Sequence, residues 1–275
     1  MATGWDPRAA SEAGEWLPVL DIPAAARQRR WTVLLRWLLL LPQFVVVCLL
    51  SVAAFFVTIA GWFAALFLGR LPDAVFSFLG SVLVYRTRVG VSSMLLVDRY
   101  PPFSFSAPDH PVQIELRATP LNRLAVLFRL ILMIPAAIIN NLAQAGWFAI
   151  GWIFWLIGIV LGRLPAPVFA ATAAVARYQM RFTAYATMLT PAYPKRLFGD
   201  EPVPQEAVRS GTRPLLLDTT AKVLVVLFLL LGVCGHIVSG VVDYGDDDEM
   251  NDDRMAPAAL TPRVQSCAIG SARCS

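Results

Sequence analysis

The sequence predicts an all-α integral membrane protein. Two tandem helical-hairpin repeats, each with an amphipathic interfacial helix, lead into one C-terminal transmembrane helix, with minor short cytoplasmic β-strands. Three observations predict this. The 275 residues are 57% apolar and only 15% charged, with a mean hydropathy of +0.61, against about 25% charged in an ordinary soluble domain. Charge is absent from three windows: Trp37 to Gly69, Leu130 to Gly162, and Val223 to Val242. The chain also repeats itself at a spacing of 93 residues. A soluble globule is excluded, and so is disorder over most of the chain, which needs low hydrophobicity.

Charge placement adds a topology. Up to Lys222 there are 20 basic and 12 acidic residues, and after it 3 and 7. The basic residues flank apolar segments, as at cytoplasmic membrane edges, so the pI near 9.1 reflects topology and not nucleic acid.

Along the chain, residues 1–12 read as a flexible N-terminus, and residues 1–30 hold no apolar core of a cleavable signal. Each of the first two windows is 33 residues long. As one straight helix it would measure about 50 Å, against about 30 Å of hydrocarbon. Two short spans with a tight turn are therefore expected in each, near Val47 to Ser51 and at Asn140-Asn141-Leu142-Ala143-Gln144. One long tilted helix is the alternative. Pro42 and Pro135 would kink the first arms.

A Gly-Arg-Leu-Pro corner follows each window, at Gly69-Arg70-Leu71-Pro72 and Gly162-Arg163-Leu164-Pro165. Glycine can end a helix there and proline restart one. The next stretch, about 24 residues, carries arginines among apolar residues and reads as an interfacial helix whose arginines snorkel to headgroups. Val112 to Arg117 alternates like a short strand, with Phe103 and Phe105 its expected partners. The last window, bounded by Lys222 and Asp243, is a single span before an acidic tail.

The duplication organises all of this. Shifted by 93 residues, Arg36 falls on Arg129, Pro42 on Pro135, Trp62 on Trp155, Tyr85 on Tyr178 and Arg88 on Arg181. Repeat 1 is 13–106, repeat 2 is 107–200, 201–222 is a cytoplasmic linker, 223–242 the last helix, and 243–275 a disordered external tail. Two spans per repeat would relate the halves by a pseudo-twofold axis along the bilayer normal. All flanks holding arginine would be cytoplasmic and the acidic tail extracytoplasmic, in the cell membrane.

The repeated corner, the arginine-bearing segment and Asp98-Arg99-Tyr100-Pro101-Pro102-Phe103 resemble the bacterial membrane family catalogued as domain of unknown function 4389. Its members are common in actinobacteria, often as tandem copies. The resemblance covers about residues 15–200 and implies a membrane location without implying a reaction. The second copy reads Thr190-Pro191-Ala192-Tyr193-Pro194-Lys195 and lacks the Asp-Arg pair.

No residue is assigned a catalytic role. Arg36 and Arg129, about one turn inside the first arm of each repeat, read as interfacial anchors, with an anion, lipid-phosphate or partner contact as the sharper alternative. Arg86, Arg88, Arg177 and Arg181 are further candidates for lipid or partner contact. Gly69, Arg70, Pro72, Gly162, Arg163, Pro165, Asp98, Arg99, Tyr100 and Pro101 read as structural, Asp98 capping a turn or pairing Arg99. His110 is expected to be exposed. His236 fits a hydrogen-bonded packing contact better than a proton relay, and Cys48 and Cys234 small apolar fillers. Cys267 and Cys274 are candidates for a disulfide, which could persist in an external tail.

No metal or cofactor is expected, since nucleotide, hydrolase and zinc motifs are missing. The expected partners are membrane lipids and a membrane protein or second copy of the chain, with no nucleic acid. Two functions compete: a non-enzymatic accessory or scaffold protein of the cell envelope, and a small transporter or channel built from the two repeats.

Overall fold

The computed structural model describes residues 16–200 and 210–255, with side chains as far as Ser239. Strand β1 (Val19–Asp21) precedes a short helix α1 (Arg30–Leu34) and a long helix α2 (Arg36–Leu68). Helix α3 (Asp73–Ser93) closes the first repeat. The second begins with β2 (Gln113–Glu115), α4 (Arg123–Leu127) and the long α5 (Arg129–Leu161), and ends with α6 (Ala166–Ala186). A last helix, α7, runs Thr219–Met255.

Each long apolar window is one unbroken helix of 33 residues. This corrects the expected turns: 47–51 and 140–144 are helical. Neither stretch holds glycine or proline, and opening the backbone among apolar side chains would strand its amides and carbonyls. The helices also run through Pro42 and Pro135. The break comes earlier, at Leu35 and Phe128, which separate α1 from α2 and α4 from α5.

The hairpin exists, but its corner is the Gly-Arg-Leu-Pro motif. Gly69 and Gly162 cap α2 and α5 at φ +71° and +65°, a left-handed conformation that glycine adopts without Cβ strain. Pro72 and Pro165 are the N-caps of α3 and α6. In each corner the leucine, Leu71 or Leu164, is buried while Arg70 or Arg163 is exposed. Helix α3 then returns along α2: Gly61 faces Val75, Gln43 meets Tyr85, and Arg36 reaches Ser92. Both return helices end alike, with non-glycine residues at positive φ, Leu95 (+62°) and Met188 (+61°), again 93 residues apart.

The repeats interlock reciprocally. Short helix α1 packs on α5 of the other repeat, and α4 packs on α2. Gln28 N donates to Gly162 O at 2.8 Å, and its counterpart Leu121 N donates to Gly69 O at 3.0 Å. The strands pair antiparallel with each other, Leu20 opposite Ile114 and Asp21 opposite Gln113. Exchanging each of these residues for its counterpart in the other repeat turns one pair into the other. The ladder therefore straddles a pseudo-twofold axis. Because each long helix ends beside the start of the other repeat, α2 and α5 run in opposite directions, which corrects the expected axis along the bilayer normal to an inverted pair. The ladder also corrects the expected pairing of β2 with Phe103 and Phe105, which lie outside any strand.

Helix α7 seats on α5 where both helices present glycine. A Cβ on Gly146 would collide with the Phe228 carbonyl, and one on Gly232 with the Leu142 carbonyl. The Phe154 and Phe228 rings meet edge-on nearby, with centroids 5.9 Å apart. The helix continues past the expected end at Val242 to Met255. Residues from His236 onward form a separate unit.

Among the described residues, four helices are long and apolar enough to cross a membrane: Arg36–Leu68, Asp73–Ser93, Arg129–Leu161 and Thr219–Ser239. The second is the helix expected at the interface in repeat 1; its counterpart in repeat 2, Ala166–Ala186, is not among the four. Large side chains such as Phe55, Phe56 and Phe67 on α2, and Leu130 and Ile131 on α5, are more than half exposed. In a soluble protein so many would be anomalous; facing lipid, they are in their own solvent.

Candidate functional site

Arg36 is buried, 4% exposed. Its guanidinium donates to the Ser92 and Val97 carbonyls at 2.8 and 2.5 Å, to Gln28 Oε1 at 3.2 Å and to Asp98 Oδ1 at 2.9 Å. It thus caps the C-terminal carbonyls of α3, where a cation is favoured. Asp98 also accepts from the Thr32 hydroxyl at 2.6 Å. Its ion-pair partner is Arg36 and not Arg99, which donates to the Asp109 carbonyl instead. The rest of that motif is structural: Tyr100 donates to the Leu39 carbonyl, and the Pro101 carbonyl accepts from Gln43.

The second repeat solves the same problem without a carboxylate. Arg129, also 4% exposed, donates to the Thr190 carbonyl, the counterpart of Val97. Pro191 stands where Asp98 would be. Tyr185 stands where Ser92 would be, and its ring centre lies 4.1 Å from the Arg129 guanidinium. A cation–π contact replaces the ion pair.

The remaining arginines split. Arg88 donates to the Phe105 and Ala107 carbonyls at 3.4 and 3.2 Å. Arg181 donates to the Pro18 and Lys195 carbonyls, both at 3.1 Å. Arg177 donates to Asp200 Oδ2 at 2.5 Å and to the Arg196 carbonyl at 3.1 Å. Burial alone would raise the Asp200 carboxyl, but the Arg177 charge and the Leu215 N–H hold it below its ordinary value. These three arginines and Arg36 and Arg129 are buried, so the expected snorkelling is corrected. Their long side chains reach loop carbonyls of the same chain, which satisfies guanidinium and carbonyl together.

Arg86 differs. It is exposed, and it has no hydrogen-bond or ion-pair partner among the described residues. It lies on the seam where α3 meets α6. Leu83, Arg86, Thr87 and Gly90 there oppose Ala176, Gln179, Met180 and Thr183, which are their counterparts one repeat on. Arg86 lines two cavities there, one of about 140 Å³ and a second of about 270 Å³. The second is also lined by Ser51, Thr58 and Asn140. Asn140 is 9% exposed and has no hydrogen-bond partner among the described residues. One turn along α5, the Gln144 amide nitrogen is buried and unpartnered too. Sequence reasoning took Asn140 and Gln144 for a turn and passed over Gln179. The signal was available, since Gln179 lies one repeat after Arg86.

His110 is 4% exposed, against the expectation of an exposed linker residue. Its Nδ1 accepts from Val112 N at 3.2 Å, beside the start of β2. Burial, with the Arg88 charge, lowers its pKa from 6.5 to about 4. His236 is exposed and not packed as expected. Cys48 and Cys234 are free thiols on exposed helix faces, whereas Cys267 and Cys274 lie outside the described residues.

The model of one protein family, described as a domain of unknown function (DUF4389), matches the chain twice, over residues 30–104 and 123–197. The two matches are offset by 93 residues, as the internal repeat is. No curated protein and no solved structure matches the chain.

Proposed function

We propose that this chain, which belongs to the domain of unknown function 4389 family as a tandem two-copy member, is a non-enzymatic scaffold or accessory protein. It works in the cell membrane through contacts with anionic lipid and with a partner membrane protein or second copy. One observation carries the reading. The buried arginines are tied to carbonyls and carboxylates of their own chain, in a frame the repeats lock reciprocally. What faces outward is a broad apolar surface, with Arg86 exposed on the seam between the repeats. Such a frame is built to hold a shape and present it.

Orientation belongs to the same proposal. Arg27, Arg29, Arg30 and Arg99 lie at the end where repeat 1 begins, beside the Arg163 corner of repeat 2, to which Gln28 and Arg30 bond. By the positive-inside rule the N-terminus is cytoplasmic and the acidic C-terminal segment extracytoplasmic. The test is a photo-crosslinker placed at exposed Phe56 or Ile131 in living cells. A protein adduct of fixed stoichiometry is expected; recovery of isolated monomers only, at both positions, would overturn the scaffold.

The cleft at the repeat interface favours a second reading, a small transporter, because carriers built from repeats place their sites there. Anion flux in proteoliposomes that Arg86→Gln abolishes would put it first.

A further inference from the structure

We infer that the α3–α6 cleft is a binding site for a phosphate-bearing anion, with Arg86 as its cation and Gln179 and Asn140 as amide donors. This rests on the proposed contact with anionic lipid and names its place and chemistry. Five arginines of the repeats are buried and matched by acceptors, whereas Arg86 has none among the described residues. It stands on α3 seven residues before Ser93, about 10 Å along the helix. Beside it are the apolar Phe44, Val47 and Phe55 of α2. An unpaired guanidinium within an apolar band is costly and marks a functional site by default.

The second observation is independent of charge. Asn140, from the other repeat, is nine-tenths buried, lines the same cavity and has no hydrogen-bond partner among the described residues. An amide held in a largely buried side chain at a cavity wall gains, from a ligand with acceptor oxygens, hydrogen bonds that its own chain does not supply. Guanidinium and amide hydrogens converging on one cavity suit the oxygens of a phosphate, which guanidinium binds through two parallel hydrogen bonds. The duplication explains why there is one site and not two. At this seam position repeat 1 supplies the charge and repeat 2 only an amide, Gln179, so a single anion meets one cation flanked by neutral donors. The headgroup phosphate of an anionic lipid and free inorganic phosphate share this chemistry.

The test uses the purified full chain in detergent, titrated separately with short-chain phosphatidylglycerol, with inorganic phosphate and with phosphate-free diacylglycerol. Binding is read by calorimetry and native mass spectrometry. One phosphatidylglycerol per chain, weakened at least tenfold by Arg86→Gln and several-fold by Asn140→Ala, is expected. Arg27→Gln, a surface cation away from the cleft, leaves it unchanged. If inorganic phosphate binds and competes, the site takes a free anion; if it does neither, the site takes the lipid. Both outcomes support the site.

Equal binding by wild type and Arg86→Gln, equal losses in Arg86→Gln and Arg27→Gln, or equal affinity for diacylglycerol would overturn it. Should Arg86→Gln unfold, Gln179→Ala keeps the charge and is expected to weaken phosphate binding several-fold; no change would then overturn the site. Failure of the crosslinking experiment would remove the scaffold and leave this binding result standing.

Discussion

Trp155 donates its indole N–H to the carbonyl of Val33 at 2.9 Å, across the boundary between the repeats. Trp62, its counterpart, does the same to Val126 at 3.0 Å. Each long helix thus holds the short helix of the other repeat, near the break where that helix gives way to its own long one.

Trp62→Phe and Trp155→Phe each keep the ring packing and remove the donor. Each should lower stability in detergent by about 1–2 kcal/mol, because a partly buried carbonyl loses its partner. Reciprocity requires the two losses to be similar. Chemical denaturation of the two variants checks this, and a large effect from one with none from the other would contradict the symmetric lock.

Arg36 and Arg129 sit at matching positions with unlike partners, so matching substitutions should behave differently. Asp98→Ala strands a buried guanidinium and should cost about 3 kcal/mol. Tyr185→Phe retains the aromatic face beneath Arg129 and should cost little, whereas Tyr185→Leu removes it and should cost about 1–2 kcal/mol. Thermal melts of the three variants rank them.

The seat of α7 depends on the absence of side chains. Gly146→Leu should cost more than about 2 kcal/mol by overpacking and speed tryptic cleavage after Lys222, an exposed residue in the first turn of α7, as that helix lifts from α5 and its backbone loosens. The matching position in repeat 1 is Ala53, which is exposed. Ala53→Leu should leave both stability and tryptic cleavage near the wild-type values.

His110 makes stability depend on pH. Its folded pKa, near 4, lies below its ordinary 6.5, so between these values the unfolded chain takes up a proton that the folded chain refuses. The stabilisation is complete above pH 6.5 and is lost as pH falls toward 4, up to about 3 kcal/mol. His110→Gln should flatten this part of the curve, measured as melting temperature between pH 7.5 and 4.5. Asp200, whose carboxyl is held low, loses its contribution at still lower pH and would remain in the variant.

The membrane class, the 93-residue duplication, the Gly-Arg-Leu-Pro corners and the strand at Gln113–Glu115 were legible from residue order alone. Each rests on local chemistry: charge-free length, a glycine that takes positive φ, a period-two alternation. The true corner of the hairpin was legible too, yet length arithmetic drew the turn into the middle of the window. Helix continuity won there because an unbroken backbone satisfies its own hydrogen bonds in an apolar setting, while an overlong helix need only tilt or protrude.

What tertiary structure decided was partnership. Nothing in the order of residues says that Trp155 meets Val33, that β1 pairs with β2, or that Asp98 belongs to Arg36. Those contacts join residues 62 to 122 positions apart and depend on which helix faces cross. The same holds for the arginines. Sequence marks six as alike, but a long side chain ends on a carbonyl or in open space according to where a loop returns. Five found acceptors in their own chain; Arg86, on the seam between the repeats, was left facing a cleft.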